Sequence, residues 1–162
     1  MYAELHDYAR AIHHYELVAD ASLSSTLTKY SVKEYWLRAG LCAVGEGVSA
    51  QFTLLHLNRL PTPSLRPHLN LDLVLSNATS STQDIVKARR QASTYASKDV
   101  TFTSTREYKF LMAVIDAREG EDEQALTDAA VDFDSVVKLD NWKTKLLLDI
   151  KNKIQETGGD FR

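Results

Sequence analysis

A chain of 162 residues, 25% charged and 44% hydrophobic, has the composition of an ordinary globular protein with room for one core. Its net charge of -3 and pI near 5.9 exclude the basic surface a nucleic-acid binder needs, and no apolar run approaches a bilayer span. Glu4, Asp7 and Arg10 stand where a signal peptide would be apolar, and the single Cys42 excludes a disulfide framework or a cysteine metal site, so a cytoplasmic protein is expected.

Apolar spacing predicts six helices, near Ala3–Ala19, Tyr30–Glu46, Asp84–Ser97, Thr105–Arg118, Glu121–Val137 and Leu139–Glu156. Leu5, Tyr8, Ile12, Tyr15 and Ala19 form the stripe of the first, and the small residues Ala9 and Ala11 allow a close neighbour. Ser22 to Ser25 supply the turn that follows. In the second helix Val32, Tyr35, Trp36, Leu37, Leu41 and Val44 point in nearly every direction, the mark of an inner helix. Phe110, Leu111, Val114 and Ile115 mark the fourth, and Ala125, Leu126, Ala129, Ala130, Phe133 and Val137 the fifth. The last carries Leu139, Trp142, Leu146, Ile150 and Ile154 on one face, with Lys143, Asp149, Asn152 and Lys153 mostly elsewhere. Asp140 or Asn141 caps its start, Gly158-Gly159 lies at its end, and Trp142 is expected to anchor it against the helix of Phe133 and Val137. Antiparallel helices with short connections predict an all-α fold of tetratricopeptide-like hairpins ending in a C-terminal helical bundle.

Val48–Gln83 interrupts this pattern. It holds all three prolines (Pro61, Pro63, Pro67), no glycine, lysine or glutamate, and only Arg59, Arg66 and Asp72 as charges. A structureless stretch of this length inside a compact domain calls for an explanation. Val48-Ser49 is encodable by an in-frame splice-donor sequence, Ser76-Asn77 by a branch-point-like one and Gln83 by an acceptor. The segment therefore reads as a disordered insertion translated from a retained intron. A regulatory insertion or a linker with a leucine-rich binding motif is the alternative, although linkers are usually more polar. The expected organisation is a helical hairpin over 1–47, the insertion over 48–83 and the C-terminal bundle over 84–162.

With Val48–Gln83 set aside, the remaining motifs fall into one order. They are Tyr8-Ala-Arg-Ala-Ile12, Lys29-Tyr-Ser-Val-Lys-Glu-Tyr35, Leu41-Cys42, Val100-Thr-Phe-Thr-Ser-Thr-Arg106-Glu107, Phe110-Leu111, Ile115-Asp116-Ala117, Phe133-Asp-Ser135, Leu139-Asp140-x-Trp142 and Ile150-Lys151-x-x-Ile154-Gln155. In order and spacing this set resembles the C-terminal part of the soluble NSF attachment proteins (SNAPs). The resemblance implies a non-enzymatic adaptor that links spent SNARE complexes to the disassembly ATPase NSF in vesicle traffic, peripheral to membranes through its partners. The family's N-terminal helices, with their membrane-touching loop and much of its basic SNARE-gripping surface, have no counterpart in this chain.

The resemblance implies that acids between the fourth and fifth helices and at the C-terminus face NSF: Asp116, Glu119, Glu121, Asp122, Glu123 and Asp160; Asp84, at the start of the third helix, falls at a further acidic position of the family once the insertion is set aside. Phe161 stands at the family's penultimate leucine, which activates the ATPase. The bland reading of the 116–123 run is a solvated turn whose acids favour the next helix's N-terminus. Lys29, Lys33, Arg38 and Arg106 are the SNARE-binding candidates, with Lys87, Arg89 and Arg90 as further contributors; ordinary helix solvation is the alternative for each. His6, His13 and His14 lack the further ligand a metal site needs. Cys42 sits in an apolar helix with no His-Asp arrangement around it. No glycine loop cradles phosphate and no paired-carboxylate motif stands out, so neither catalysis nor a cofactor is expected.

Overall fold

The computed structural model describes residue 3 and residues 7–58 and 71–158, with side chains at 3, 7–46 and 84–155. The helices are α1 (Tyr8–Leu23), α2 (Val32–Asn58), α3 (Leu71–Lys98), α4 (Arg106–Glu119), α5 (Glu123–Val136) and α6 (Asn141–Gly158). Short 3-10 turns at Lys29–Ser31 and Val100–Ser104 lead into α2 and α4. Side-chain caps set several boundaries. Asp7 accepts from the Arg10 amide to start α1, Thr105 from Tyr108 to start α4, and Asp122 from Ala125 to start α5. No strand occurs among the described residues, and consecutive helices pack as hairpins. The expected all-α hairpin fold is the fold observed.

The middle of the chain differs from the expectation of an unordered insertion over 48–83. Helical backbone continues through Asn58 and resumes at Leu71. The composition permits this, because the segment has no glycine and its prolines, at 61, 63 and 67, all lie between those two bounds and outside the described residues.

α2 is the inner helix its pattern predicts, packed on α1, α3, α4 and α6. Val32, Trp36, Leu37, Ala39, Leu41, Cys42, Ala43 and Val44 are all buried. Two glycines set its approach to its neighbours. A Cβ on Gly40 would meet a Leu111 methyl of α4 at 2.5 Å, and one on Gly45 a Leu146 methyl of α6 at 2.5 Å. Around this axis the aromatics form two groups. Trp36 stacks on Tyr95 of α3, centroids 5.7 Å apart, and meets the edge of Phe102 at 4.9 Å; Phe110 of α4 stacks on Phe133 of α5 at 4.4 Å. The Tyr95 hydroxyl donates to Glu16 Oε1 at 2.6 Å, tying α3 back to α1.

The last helix departs from its predicted face. Leu146, Leu147, Ile150 and Ile154 are buried, but so are Lys143, 2% exposed, and Lys153. Trp142 is only half-buried and lies under the Arg38 guanidinium, 5.7 Å from its ring centroid. Phe133 stacks on Phe110 and Val137 is exposed, so Trp142 is not the expected anchor. The cause is a charge network. Lys143 Nζ donates to Glu34 Oε1, and Arg38 donates to Glu34 at 2.9 Å and to Asp140 at 2.7 Å. Asp140 takes the backbone place that starts α6, its carbonyl accepting from the Thr144 amide, while its carboxylate serves Arg38. A buried ammonium is tolerated where its partner is fixed this closely.

Candidate functional site

The acidic candidates gather around the seam of α3 and α4 and the α4–α5 turn, but the fold engages most of them. Arg89 Nη2 reaches from α3 to Asp116 Oδ1 at 2.6 Å and also donates to Glu119 Oε2. The Asp116 hydrogen bond holds the Arg89 guanidinium above its ordinary pKa; burial opposes it, and the Glu119 hydrogen bond adds to it. Both carboxylates keep more than half of their side-chain surface open, so the trio presents two exposed acids around one arginine.

The turn itself explains the rest of the run. Glu121 takes a left-handed backbone with φ of 52°, which lets the Asp122 amide reach back to the Ala117 carbonyl at 2.9 Å and close α4. Asp122 is spent as the cap of α5, accepting from Ala125 at 2.9 Å. Glu123 pairs with Lys151 of α6 at 3.0 Å; a Gln155 hydrogen bond, then Lys151, holds its carboxyl below the ordinary range. The helix-favouring reading therefore applies to Asp122. Asp84, half-buried on α3, feels Glu46, Lys153, Lys87 and Arg118. Burial first, then Glu46, raises its carboxyl, while the three cations oppose. Arg118 is buried and also feels Glu121. Asp160, Phe161 and His6 lie outside the described residues.

The basic candidates separate by partner. Arg38 is turned inward to Glu34, Asp140 and Trp142, so its place is the α2–α6 seam rather than an open surface. Lys87 is held by Glu46 at 2.6 Å and Arg89 by the acids of α4. Lys33 pairs with the buried Glu107 at 2.9 Å yet keeps nearly half its side chain exposed. With Lys29 it lines a cleft of about 510 Å³ beside Trp36 and Thr105. Arg90 and Arg106 are exposed and hold no ion pair among the described residues.

A second cleft, about 630 Å³, opens beside Arg106 between α4 and α5. Its rim includes Lys109, which the sequence reading did not single out; its signal was the three-residue step from Arg106. Lys143, expected mostly off the apolar face, is buried instead, in helical step with Leu146, Leu147 and Ile150. His13 and His14 are ring neighbours at 5.9 Å, and no group of three metal-ligating side chains occurs among the described residues. Burial pushes the Cys42 thiol up to about 12, so the sulfur keeps its proton at neutral pH. No helix among the described residues is long and apolar enough to cross a membrane.

The sequence model of the family "Soluble NSF attachment protein, SNAP" matches residues 1–59 and 75–155 of this chain. Among curated proteins, the chain is 43% identical over 159 residues to the vesicular-fusion protein SEC17 of Coprinopsis cinerea, covering 98% of this chain and 43% of that protein. It is 32% identical over 155 residues to the probable vesicular-fusion protein sec17 homolog of Neurospora crassa, 96% of this chain and 41% of that one. It is 33% identical over 153 residues to the alpha-soluble NSF attachment protein of Vitis vinifera, 94% and 40%. The chain thus spans about two fifths of the length of these relatives. With a family match on both sides of residues 60–74 and a fold of six helices in hairpins among the described residues, this chain belongs to the soluble NSF attachment protein family.

Proposed function

We propose that this chain is an adaptor that joins SNARE complexes to an NSF-type ATPase in vesicle-mediated transport, in the cytoplasm and peripheral to membranes through its partners. The observation that carries the reading is the division of charge along α4 of a SNAP-family fold. Exposed carboxylates of Asp116 and Glu119 stand at its C-terminal end, and at its N-terminal end are the exposed Arg106 and Lys109, which hold no ion pair among the described residues. Like charges grouped on one edge steer an oppositely charged partner and speed encounter. On this reading Asp84, Asp116, Glu119, Glu121, Asp122, Glu123, Asp160 and Phe161 face the ATPase. Lys29, Lys33 and Arg106 face the SNAREs. ATP hydrolysis belongs to the partner, so the chain needs no catalytic group or cofactor of its own.

The test is a pull-down of the chain with NSF and with assembled SNAREs at two salt concentrations; binding to neither removes the adaptor reading in favour of a helical scaffold with other partners. The tail has its own assay. Phe161→Ala is expected to lower stimulation of immobilised-adaptor NSF turnover more than it lowers NSF binding, and Phe161→Leu to raise it. An alanine variant as active as the parent removes the tail from the mechanism. The retained-intron reading of 48–83 stands beside this as a proposal about the gene. It is supported by the cluster of prolines and by the stretch 60–74 that the family match skips. Transcripts lacking those codons support it, and abundant transcript containing them overturns it.

A further inference from the structure

We propose that Ser93 is a phosphorylation site for an arginine-directed protein kinase, and that its phosphate turns the α3–α4 seam from charge-balanced to acidic; the consequence for NSF binding rests on the adaptor reading above. The sequence Arg89-Arg90-Gln91-Ala92-Ser93 sets arginines four and three residues before a serine. Kinases that carry acids in their substrate groove select this charge pattern. Ser93 is exposed, and so is Arg90, which holds no ion pair among the described residues. Their three-residue spacing on a helix puts the two on the same face.

A kinase takes its substrate extended, so the end of α3 has to open. Three hydroxyls there bond back into their own helix, Ser93 to the Arg89 carbonyl at 3.0 Å, Thr94 to that of Arg90 at 2.9 Å and Ser97 to that of Thr94 at 2.7 Å. Such bonds compete with the helical ladder, and α3 ends at Lys98. Buried Ala92 and Tyr95 pull the other way, so opening is transient and sets the rate. The Ser93 oxygen then attacks the γ-phosphorus of ATP: an O–P bond forms, the bond to ADP breaks, and the hydroxyl proton passes to the kinase's base.

Charge decides the consequence. Arg89 and Arg90 on α3 stand against Asp116 and Glu119 on α4, two cations for two carboxylates. A phosphate adds a charge of about −1.5 to −2 at neutral pH. Arg90 is its free partner, and Arg89, one turn before it, is drawn off Asp116 and Glu119. The seam becomes acidic whether or not Arg89 moves, and an acidic edge attracts a basic partner.

The experiment treats the full chain with ATP and the catalytic domain of an arginine-directed serine kinase, maps the phosphate by mass spectrometry and uses circular-dichroism melts as the fold control. One phosphate is expected on Ser93, none there in Ser93→Ala, and incorporation about tenfold slower in Arg90→Ala. In a phosphorus NMR titration, the paired arginines hold the second phosphate pKa below its ordinary value of about 6, and Arg90→Ala returns it toward that value. NSF association is expected to quicken severalfold at low salt, the gain vanishing at high salt. No incorporation, incorporation at Thr94 in place of Ser93, or incorporation as fast in Arg90→Ala overturns the site. Phosphorylated Ser93 with an ordinary pKa, or with unchanged association in a chain that binds NSF, overturns the switch. If the chain binds no NSF with or without phosphate, the adaptor reading falls, and the mapping and the titration still decide the site.

Discussion

Glu121 is the non-glycine residue with positive φ among those described, and the chain places it one position after Gly120, which itself adopts an ordinary right-handed conformation. Left-handed backbone costs an L-residue about 1 kcal/mol, so Glu121→Gly is expected to raise stability by about that amount in a thermal or urea melt. Arg89 invites a different measurement. Removing its charge leaves Asp116 and Glu119 unneutralised, so on the proposed adaptor reading Arg89→Gln is expected to speed binding of NSF and steepen its salt dependence, while stability changes by less than about 1 kcal/mol. Slower association would mean that the arginine positions the acids rather than masking them. Neither arrangement was legible in the sequence. The Arg89–Asp116 contact joins residues 27 apart, and nothing in local spacing chooses that acid over another.

At the scale of helices, α6 shows how a correct periodicity can still misassign a face. Leu146, Ile150 and Ile154 were legible because a 3.6-residue repeat is a local property. Trp142 shares that repeat, but the Glu34–Arg38–Asp140–Lys143 network holds the start of α6 so that Lys143 goes inward and the indole stays partly outside. Trp142→Ala is accordingly expected to cost about 1–2 kcal/mol, less than the 3–5 typical of a buried Trp, and Ile150→Ala about 3 kcal/mol, both read from denaturant midpoints. Glu34→Ala leaves Lys143, among the described residues, with Asp140 at 3.6 Å as its remaining ion-pair partner and is expected to cost about 2 kcal/mol. The α2 pattern was informative about burial, since its apolar residues lie on several sides; Trp36, Leu37, Leu41 and Val44 are buried, while Tyr35 is only partly so. The helical backbone on either side of residues 59–70 was not anticipated, because Pro and Leu-Ser composition was read across the whole segment when only its centre holds helix breakers.

For the whole molecule, acid sensitivity follows from a few carboxylates. The Thr101 hydroxyl holds Asp99 below its ordinary range, the Leu139 amide does so for Asp134, and Gln155 then Lys151 do so for Glu123. Depressed acids contribute stability that is present above their unfolded value, about pH 4, and lost as pH falls through the folded value. Asp84 has the opposite sign, since burial raises it: its contribution is present at low pH and lost as pH rises. Asp84→Asn is therefore expected to stabilise the fold at about pH 7 and to match the parent near pH 3; a neutral-pH loss of stability would show that Lys87, Lys153 and Arg118 outweigh burial.

Helical class, the inner position of α2 and membership in a family of helical hairpins could all be read from the chain, because each rests on residue order and spacing within a few turns. The roles of the charges could not. Arg38 finds Asp140 across 102 residues and Lys143 finds Glu34 across 109, and these pairings take Arg38 off the surface where an exposed cation was expected. They exist because α2 packs against α6, with Gly45 admitting Leu146. A cation's partner depends on which helices touch, and so does what it leaves free for another protein; helix contact is a property of the packed core and not of any stretch of sequence.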